Sequence, residues 1–431
     1  MAGKTVPPPP TIALRLSRLL VTDFGPIHRA DLDLSSDVTF LMGPQSAGKT
    51  YLTTLAYSLS RSASSFILNA FIGALASVFR DKGLVGAVSS EALEGVVASE
   101  GSNLGTRFER EPSARIIPNL LPANFGVAQP SQLVREGTDL ANVGATFSMA
   151  GQPLLFASIT IPRSGEVGVT VRAEPGAFQA YVRAAKPQIT VMPAGGWAAQ
   201  YGGLGVLPSK YIPAERIVPT QVLASYLDLI LRMGQPSALG QTSGLRMPLF
   251  RQTLLDYIRD IGQSMASTPH GKRTLKLLDF GDLELEGSIL RFRDRRRHAL
   301  VDMSQAASGV AQVAGITLTA ETEPVPDTLF VEEPELNLHA DAQLRVSDYL
   351  AELSKRTRII LTTHSQYVPT MLTIALAKGK IASLRGYYLN PDNDEAEEVA
   401  IDRASGSIAI PRSIEAALER VGEEAASLDE E

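Results

Sequence analysis

The chain has 431 residues, 44% of them hydrophobic and 20% charged, with a mean hydropathy of +0.05; this supports a large buried core and excludes a disordered or fibrous chain. A net charge of −6 excludes a protein that coats nucleic acid along its whole surface and leaves a local contact open. The absence of cysteine excludes a disulfide framework and a thiolate metal site.

The N-terminus, MAGKTVPPPP, carries four consecutive prolines and no apolar signal core. It predicts a solvated polyproline lead over residues 1–10 and a cytoplasmic protein. Residues 11–43 alternate apolar and polar side chains, broken at Gly25-Pro26 and Ser35-Ser36, as an antiparallel entry sheet does. DVTFLMG at 37–43 is an apolar run ending on glycine; GPQSAGKT follows at 43–50, and then a stretch with Leu52, Leu55, Ala56 and Leu59 at helical spacing. Strand, glycine loop and helix in that order make a phosphate-binding loop. Gly43, Pro44, Gln45, Ser46, Ala47 and Gly48 would turn backbone N–H groups around phosphate oxygens at the positive end of the helix. Lys49 would reach the β- and γ-phosphates of ATP, and Thr50 would ligate Mg²⁺.

Residues 61–276 read as helical, then β-rich, then helical. FILNAFIGALASVF at 66–79 is too short for a membrane span and is interrupted by Asn69, so it predicts a buried helix and no membrane partner. Strands with glycine turns follow at 145–174, and helices resume near Thr220 and at 248–265. YIPAERI at 211–217 reads as strand, turn and helix start, with Arg216 open between a nucleotide contact and a structural role. LRFRDRRRHAL at 290–300 predicts a hairpin whose tip carries Arg295, Arg296 and Arg297, either solvated or touching a partner or nucleic acid.

A phosphate loop needs a carboxylate at the end of a neighbouring buried strand, and TLFVEEPELNLHA at 328–340 supplies Glu332 and Glu333 after an apolar run. RTRIILTTHSQYV at 356–368 is a second buried strand, ending at His364. Between the two lies a helix with Ala342, Val346, Tyr349, Leu350 and Leu353 at core spacing. Polar groups thus sit at the C-terminal ends of both strands, where ligands bind in open α/β sheets. Upstream, Ser308 and Gly309 open a helical stretch. The segment after His364 reads as strand, polar turn and strand, with the acidic turn at 392–398 read as a solvated hairpin tip in preference to a metal site, and residues 416–431 form an acidic tail.

This order of phosphate loop, Ser-Gly helix, acid pair and histidine resembles the ATP-binding-cassette ATPases. The long separation of Thr50 from Glu333 resembles their SMC, RecF and OLD branch. The wording GPQSAGKT, YIPAERI, EEPELNLHA and TTHSQYV is most similar to the OLD-like AAA ATPases of anti-phage systems, including the ATPase subunit of the PARIS system. The resemblance implies an α/β fold: a P-loop ABC-ATPase head of mixed and parallel sheet with flanking helices and an antiparallel β subdomain, split by a large α+β insert. Its head halves would be 11–60 and 277–415. The resemblance further implies that Glu332 serves Mg²⁺, that Glu333 polarises the attacking water and that His364 senses the γ-phosphate. Ser308 and Gly309 would face the nucleotide of a second subunit, giving a homo-oligomer. Glu332 stands where most relatives have Asp, and Gln45 where Asn is frequent. No nuclease domain fits after His364, so an effector such as a nuclease is expected on another polypeptide. The alternatives are a RecF-like or SMC-like DNA-repair ATPase, or an assembly protein that ATP stabilises with little turnover.

Overall fold

The structure, a computed structural model, describes residues 14–62, 68–110, 117–149, 151–174, 176–185, 188–191, 197–200, 209–217, 219–221, 252–266, 272–286, 289–321 and 325–409. The expected proline lead, most of the helical text after Thr220 and the acidic tail lie outside them. The first elements are strands β1 (Leu14–Phe24), β2 (Ile27–Asp33) and β3 (Val38–Met42), then helices α1 (Lys49–Ser62) and α2 (Leu68–Asp81). They are followed by β4 (Gly86–Val88), α3 (Ser90–Arg110), α4 (Ile117–Phe125), β5 (Leu140–Met149), β6 (Gln152–Pro162), β7 (Gly168–Ala173) and α5 (Ala177–Ala185). Next come β8 (Gln188–Val191), β9 (Trp197–Gln200), β10 (Ser209–Ile212), α6 (Gln252–Ala266), and the meander β11 (Lys272–Leu277), β12 (Gly281–Glu286), β13 (Ile289–Asp294) and β14 (Ala299–Asp302). The chain continues through α7 (Ser308–Ala320), β15 (Thr328–Glu332), α8 (Ala340–Leu353), β16 (Arg358–Thr363), α9 (Tyr367–Ala377), β17 (Leu384–Asn390) and β18 (Glu395–Glu398).

One sheet of eleven strands organises these elements, in the order β10-β15-β16-β3-β17-β18-β2-β1-β5-β6-β7. From β10 to β17 neighbouring strands are parallel, and from β2 to β7 they are antiparallel. Residues 61–276 interrupt the chain, yet β10 and β5 to β7 from that stretch extend this sheet at its two ends.

β3, β15 and β16 are buried at every residue, which is why their sequences are continuous apolar runs: helices cover both faces of the parallel strands. Alternation then assigns side chains to the two sides. Leu41, Phe330 and Ile360 join a core with α1, α2 and the antiparallel strands, whereas Phe40, Leu329, Val331, Ile359 and Leu361 join a second core with α7, α8, α9 and the β11–β14 meander. α7 is buried from Ala311 to Ala320, so it has no polar face to betray a period. Gly315 lies on it where a Cβ would stand 2.3 Å from the Tyr257 hydroxyl. No helix among the described residues is long and apolar enough to cross a membrane, and the 66–79 stretch contributes α2, with Phe71, Ile72, Leu75 and Phe79 in the core. The topology is that of a P-loop ABC-ATPase head: a mixed sheet with flanking helices and an antiparallel wing.

Candidate functional site

β3 delivers the loop at 43–50 to the C-terminal edge of the parallel sheet, and α1 begins at Lys49. The turn needs left-handed backbone at Gly43 (φ 147°) and Gly48 (φ 96°). Both positions are also crowded: a Cβ on Gly43 would lie 2.8 Å from the Leu389 carbonyl oxygen, and one on Gly48 2.2 Å from Ile27 Cδ1. Glycine is therefore required there on two counts. Lys49 is buried, and its Nζ donates to the carbonyls of Gly43 (2.9 Å) and Pro44 (2.8 Å). Burial pulls its pKa down to about 8, against the opposing charges of Glu333 and Glu335.

The acid pair lies at the end of β15, and the two carboxylates part because the strand stops between them. Glu332 is the last residue of β15, 3% exposed. Its Oε2 accepts from the Ala214 N–H at 3.2 Å, while Oε1 is buried without a partner among the described residues. Burial raises its pKa, and the polar groups of Tyr211, Ala214 and Thr50 around it counter that rise. An orphaned carboxylate oxygen beside the Thr50 hydroxyl fits a hard divalent cation, which takes oxygen ligands. Thr50 and Glu332 are the residues that would hold Mg²⁺. Glu333 follows with φ 42°, a left-handed conformation uncommon for a residue with a side chain. This turn aims its carboxylate into the cleft instead of across the strand.

His364 follows β16, which pairs with β15 on one side and β3 on the other. Its Nε2 stands 3.4 Å from Glu333 Oε1. Burial lowers the histidine pKa, and Lys49 lowers it further, against Glu335. Burial raises the Glu333 pKa, as does Glu335, with Lys49 and Arg216 opposing. Glu333 is thus a stronger base than an exposed glutamate and faces a ring held toward its neutral form.

A cleft of about 950 Å³ brings these groups together. Gln45, Ser46, Gly48, Lys49, Thr50, Glu333 and His364 line it; Gly43, Pro44 and Ala47 shape the loop behind, and Glu332 lies beneath Thr50. Ser308 and Gly309 do not reach it. Ser308 is exposed at the start of α7, and Gly309 packs near Leu338 Cδ2 and the Asn337 carbonyl.

Two residues of this site were not assigned a role from sequence. Glu335, the third acid of EEPE, lines the cleft and is 8% exposed. Arg216 is fully buried and donates to the carbonyls of Glu332 (2.7 Å), Glu333 (2.8 Å), Pro213 (3.0 Å) and Gln312 (3.2 Å). It does not line the cleft, so of its two readings the structure supports the structural one. Burial lowers its pKa to about 10, against the nearby Tyr257, Glu335, Glu332 and Glu333, so the guanidinium stays charged at neutral pH. The run YIPAERI becomes intelligible here: Tyr211, Ala214 and Arg216 all hold the acid pair.

The remaining motifs lie apart from the cleft. Arg295 bonds Asp282 at 2.6 Å, Arg293 bonds Glu284 at 2.5 Å and Arg291 bonds Asp302 at 3.4 Å, so much of the basic character of the β13–β14 hairpin is neutralised by acids on the same meander. In the acidic turn before β18, Asp394 is bound by Arg135 at 2.5 Å. Among the described residues no group of three or more His, Asp or Glu could hold a metal ion.

Comparison with known proteins places this site in context. Residues 223–368, which include Ser308, the acid pair and His364, match the family model described as "AAA domain, putative AbiEii toxin, Type IV TA system". The chain is 31% identical over 140 residues to the DNA replication and repair protein RecF of Yersinia pseudotuberculosis serotype O:1b (strain IP 31758) and equally to that of Yersinia pestis bv. Antiqua (strain Angola). Each match takes in 32% of this chain and 37% of the relative, so the chain spans little more than a third of the length of the curated relatives it matches. Among solved structures it is similar to the SMC head domain from Thermotoga maritima, with TM-score 0.38 and 12% identity over 90% of this chain and 99% of that one. It is similar also to the recombination mediator protein RecF-ATPrS, with TM-score 0.40 and 9% identity over 90% and 99%. Over the matched stretches the chain is thus similar to that AAA domain family and to RecF, and the acid pair and the histidine of the cleft fall within the family match.

Proposed function

We propose that the chain binds and hydrolyses ATP as an ABC-like ATPase of the OLD type, closing on nucleotide as a dimer or larger homo-oligomer in the cytoplasm. In this reading it is the sensor or scaffold of a prokaryotic anti-phage defence system whose effector, such as a nuclease, is a separate protein. The observation that carries the ATPase reading is the convergence of Lys49, Thr50, Glu333 and His364 on one cleft with Glu332 beneath it. The defence reading is supported by the motif wording and by the toxin–antitoxin description of the matched family.

In the reaction, water attacks the γ-phosphorus in line as the bond to the β-phosphate oxygen breaks, giving ADP and phosphate. Glu333 orients the water and takes its proton. His364, 3.4 Å from Glu333, hydrogen-bonds on the γ-phosphate side, and Lys49 neutralises charge on the β- and γ-oxygens. Mg²⁺, held by Thr50 and Glu332, would supply further charge neutralisation when bound.

Lys49→Ala is expected to abolish nucleotide binding, because Lys49 is the cation within the loop itself that reaches those phosphates. Wild-type affinity in a nucleotide titration of that variant would sink the loop assignment. The same titration carries a pH signature. Free Lys49 loses its proton near pH 8, whereas bound phosphate keeps it charged, so ATP affinity should hold below pH 8 and fall by up to about tenfold per unit above it.

Ser308→Arg should leave ATP binding by one chain intact and suppress turnover, since an exposed Ser308 outside the cleft fits a site completed by a second subunit. Unchanged hydrolysis would mean that each chain holds a complete site. The RecF match supports a second reading, a DNA-repair ATPase. Turnover stimulated severalfold by DNA favours that reading, and indifference to DNA favours the defence scaffold.

A further inference from the structure

Glu335 has no part in the reaction as described, yet it is a buried carboxylate at the edge of the cleft. Burying such a charge is costly unless it is well hydrogen-bonded. One oxygen, Oε1, meets that requirement: it accepts from Thr363 Oγ1 at 2.8 Å, from the His364 N–H at 2.7 Å and from the Ser365 N–H at 3.2 Å. Oε2 is buried and has no partner among the described residues. Three donors from consecutive residues on one oxygen define the turn that leaves β16. A second hold comes from α8, where Gln343 Oε1 accepts from Ser365 Oγ at 2.6 Å. Glu335 stands two residues after Glu333 in the turn that leaves β15, so its side chain ties the acid-bearing turn to the histidine-bearing one.

We propose that Glu335 is a positioning residue, which clasps the 363–365 turn through one carboxylate oxygen and thereby registers His364 against Glu333. The proposal rests on the ATPase reading above. Charge-assisted hydrogen bonds of this kind fix geometry as well as adding energy. Without the clasp, the backbone N–H groups of His364 and Ser365 lose their carboxylate acceptor, although Ser365 N–H also lies 3.0 Å from Thr363 Oγ1, and the 3.4 Å approach of His364 to Glu333 is no longer held. A misplacement of about 1 Å in such a pair costs on the order of 10²-fold in rate.

Two substitutions separate positioning from chemistry. Glu335→Gln keeps an acceptor at Oε1 and alters only the oxygen that bonds nothing. Glu335→Ala removes the clasp. The expected result is that the Ala variant lowers kcat by about 10–100-fold while ATP affinity stays within about threefold. Amide hydrogen exchange in a peptide covering 363–365 should accelerate in the Ala variant, and the Gln variant should restore both rate and protection. Normal turnover in the Ala variant overturns the proposal, and so does unchanged exchange. Equal loss in the Ala and Gln variants also overturns it, since Glu335 would then act through its charge. If the unaltered protein does not hydrolyse ATP, the ATPase reading fails first and takes the catalytic half of the proposal with it. The exchange data still decide whether the clasp exists.

Discussion

Glu333→Gln is expected to slow ATP hydrolysis by roughly two to four orders of magnitude, the loss typical of removing a general base, while ATP still binds and the ATP-bound assembly accumulates. Gln preserves size and hydrogen bonding, so the left-handed turn at φ 42°, held through backbone bonds to Arg216 and to the Thr362 carbonyl at 3.0 Å, should persist. Glu332→Gln should fail differently. Glu332 is buried beside Thr50 with one oxygen unpartnered, so its neutral amide should raise the Mg²⁺ concentration needed for ATP binding. The measurement is Mg²⁺-dependent ATP binding and steady-state hydrolysis on both variants. Normal hydrolysis in Glu333→Gln with a dead Glu332→Gln would move the base by one residue, and normal hydrolysis in both would promote the ATP-stabilised assembly protein over the enzyme.

Arg216→Met should lower stability by about 3–5 kcal/mol, the scale of losing several hydrogen bonds from a buried charged group at about 1.5–3 kcal/mol each, and reduce turnover with it. Methionine fills part of the volume but donates nothing, so the carbonyls of Pro213, Glu332, Glu333 and Gln312 each lose a charged donor, although Glu333 keeps the Leu336 N–H at 3.0 Å. Two of those carbonyls belong to Glu332 and Glu333 and a third to Gln312 of α7, so the acid pair and the helix bearing Ser308 loosen together. Arg216→Lys keeps the charge without the planar fork of donors and should recover only part of the loss. The check is the denaturant midpoint with the slope unchanged. A midpoint shift worth less than about 0.5 kcal/mol, the scale of a neutral surface change, would show that the network contributes nothing.

The parallel half of the fold was legible because its strands are buried on both faces and read as apolar runs, with helical spacing between them at Ala342, Val346 and Leu350. Glycine was informative where backbone and neighbours leave no room for a Cβ, as at Gly43 and Gly48. The stretch from 61 to 276 was less legible. Whether β5 to β7 form their own sheet or extend another depends on pairing with β1 across more than a hundred residues, and side-chain alternation within a strand carries no record of its partner. α7, buried nearly all round, likewise lacks the polar face that would orient it.

The glycine loop between strand and helix, the adjacent glutamates at a strand end and the histidine after the next strand were readable from sequence, because each depends on a short run of neighbours whose spacing sets the local backbone. Only the tertiary structure decided how those runs meet. The left-handed conformation of Glu333 just past the strand end parts its carboxylate from that of Glu332, and the carboxylate of Glu335 reaches from the end of one parallel strand to the turn at His364 after its neighbour. Arg216, from a segment more than a hundred residues upstream, closes over the carbonyls of the acid pair. Such contacts form where buried polar groups from distant segments must satisfy one another once water is excluded, a demand that arises only when the chain has folded.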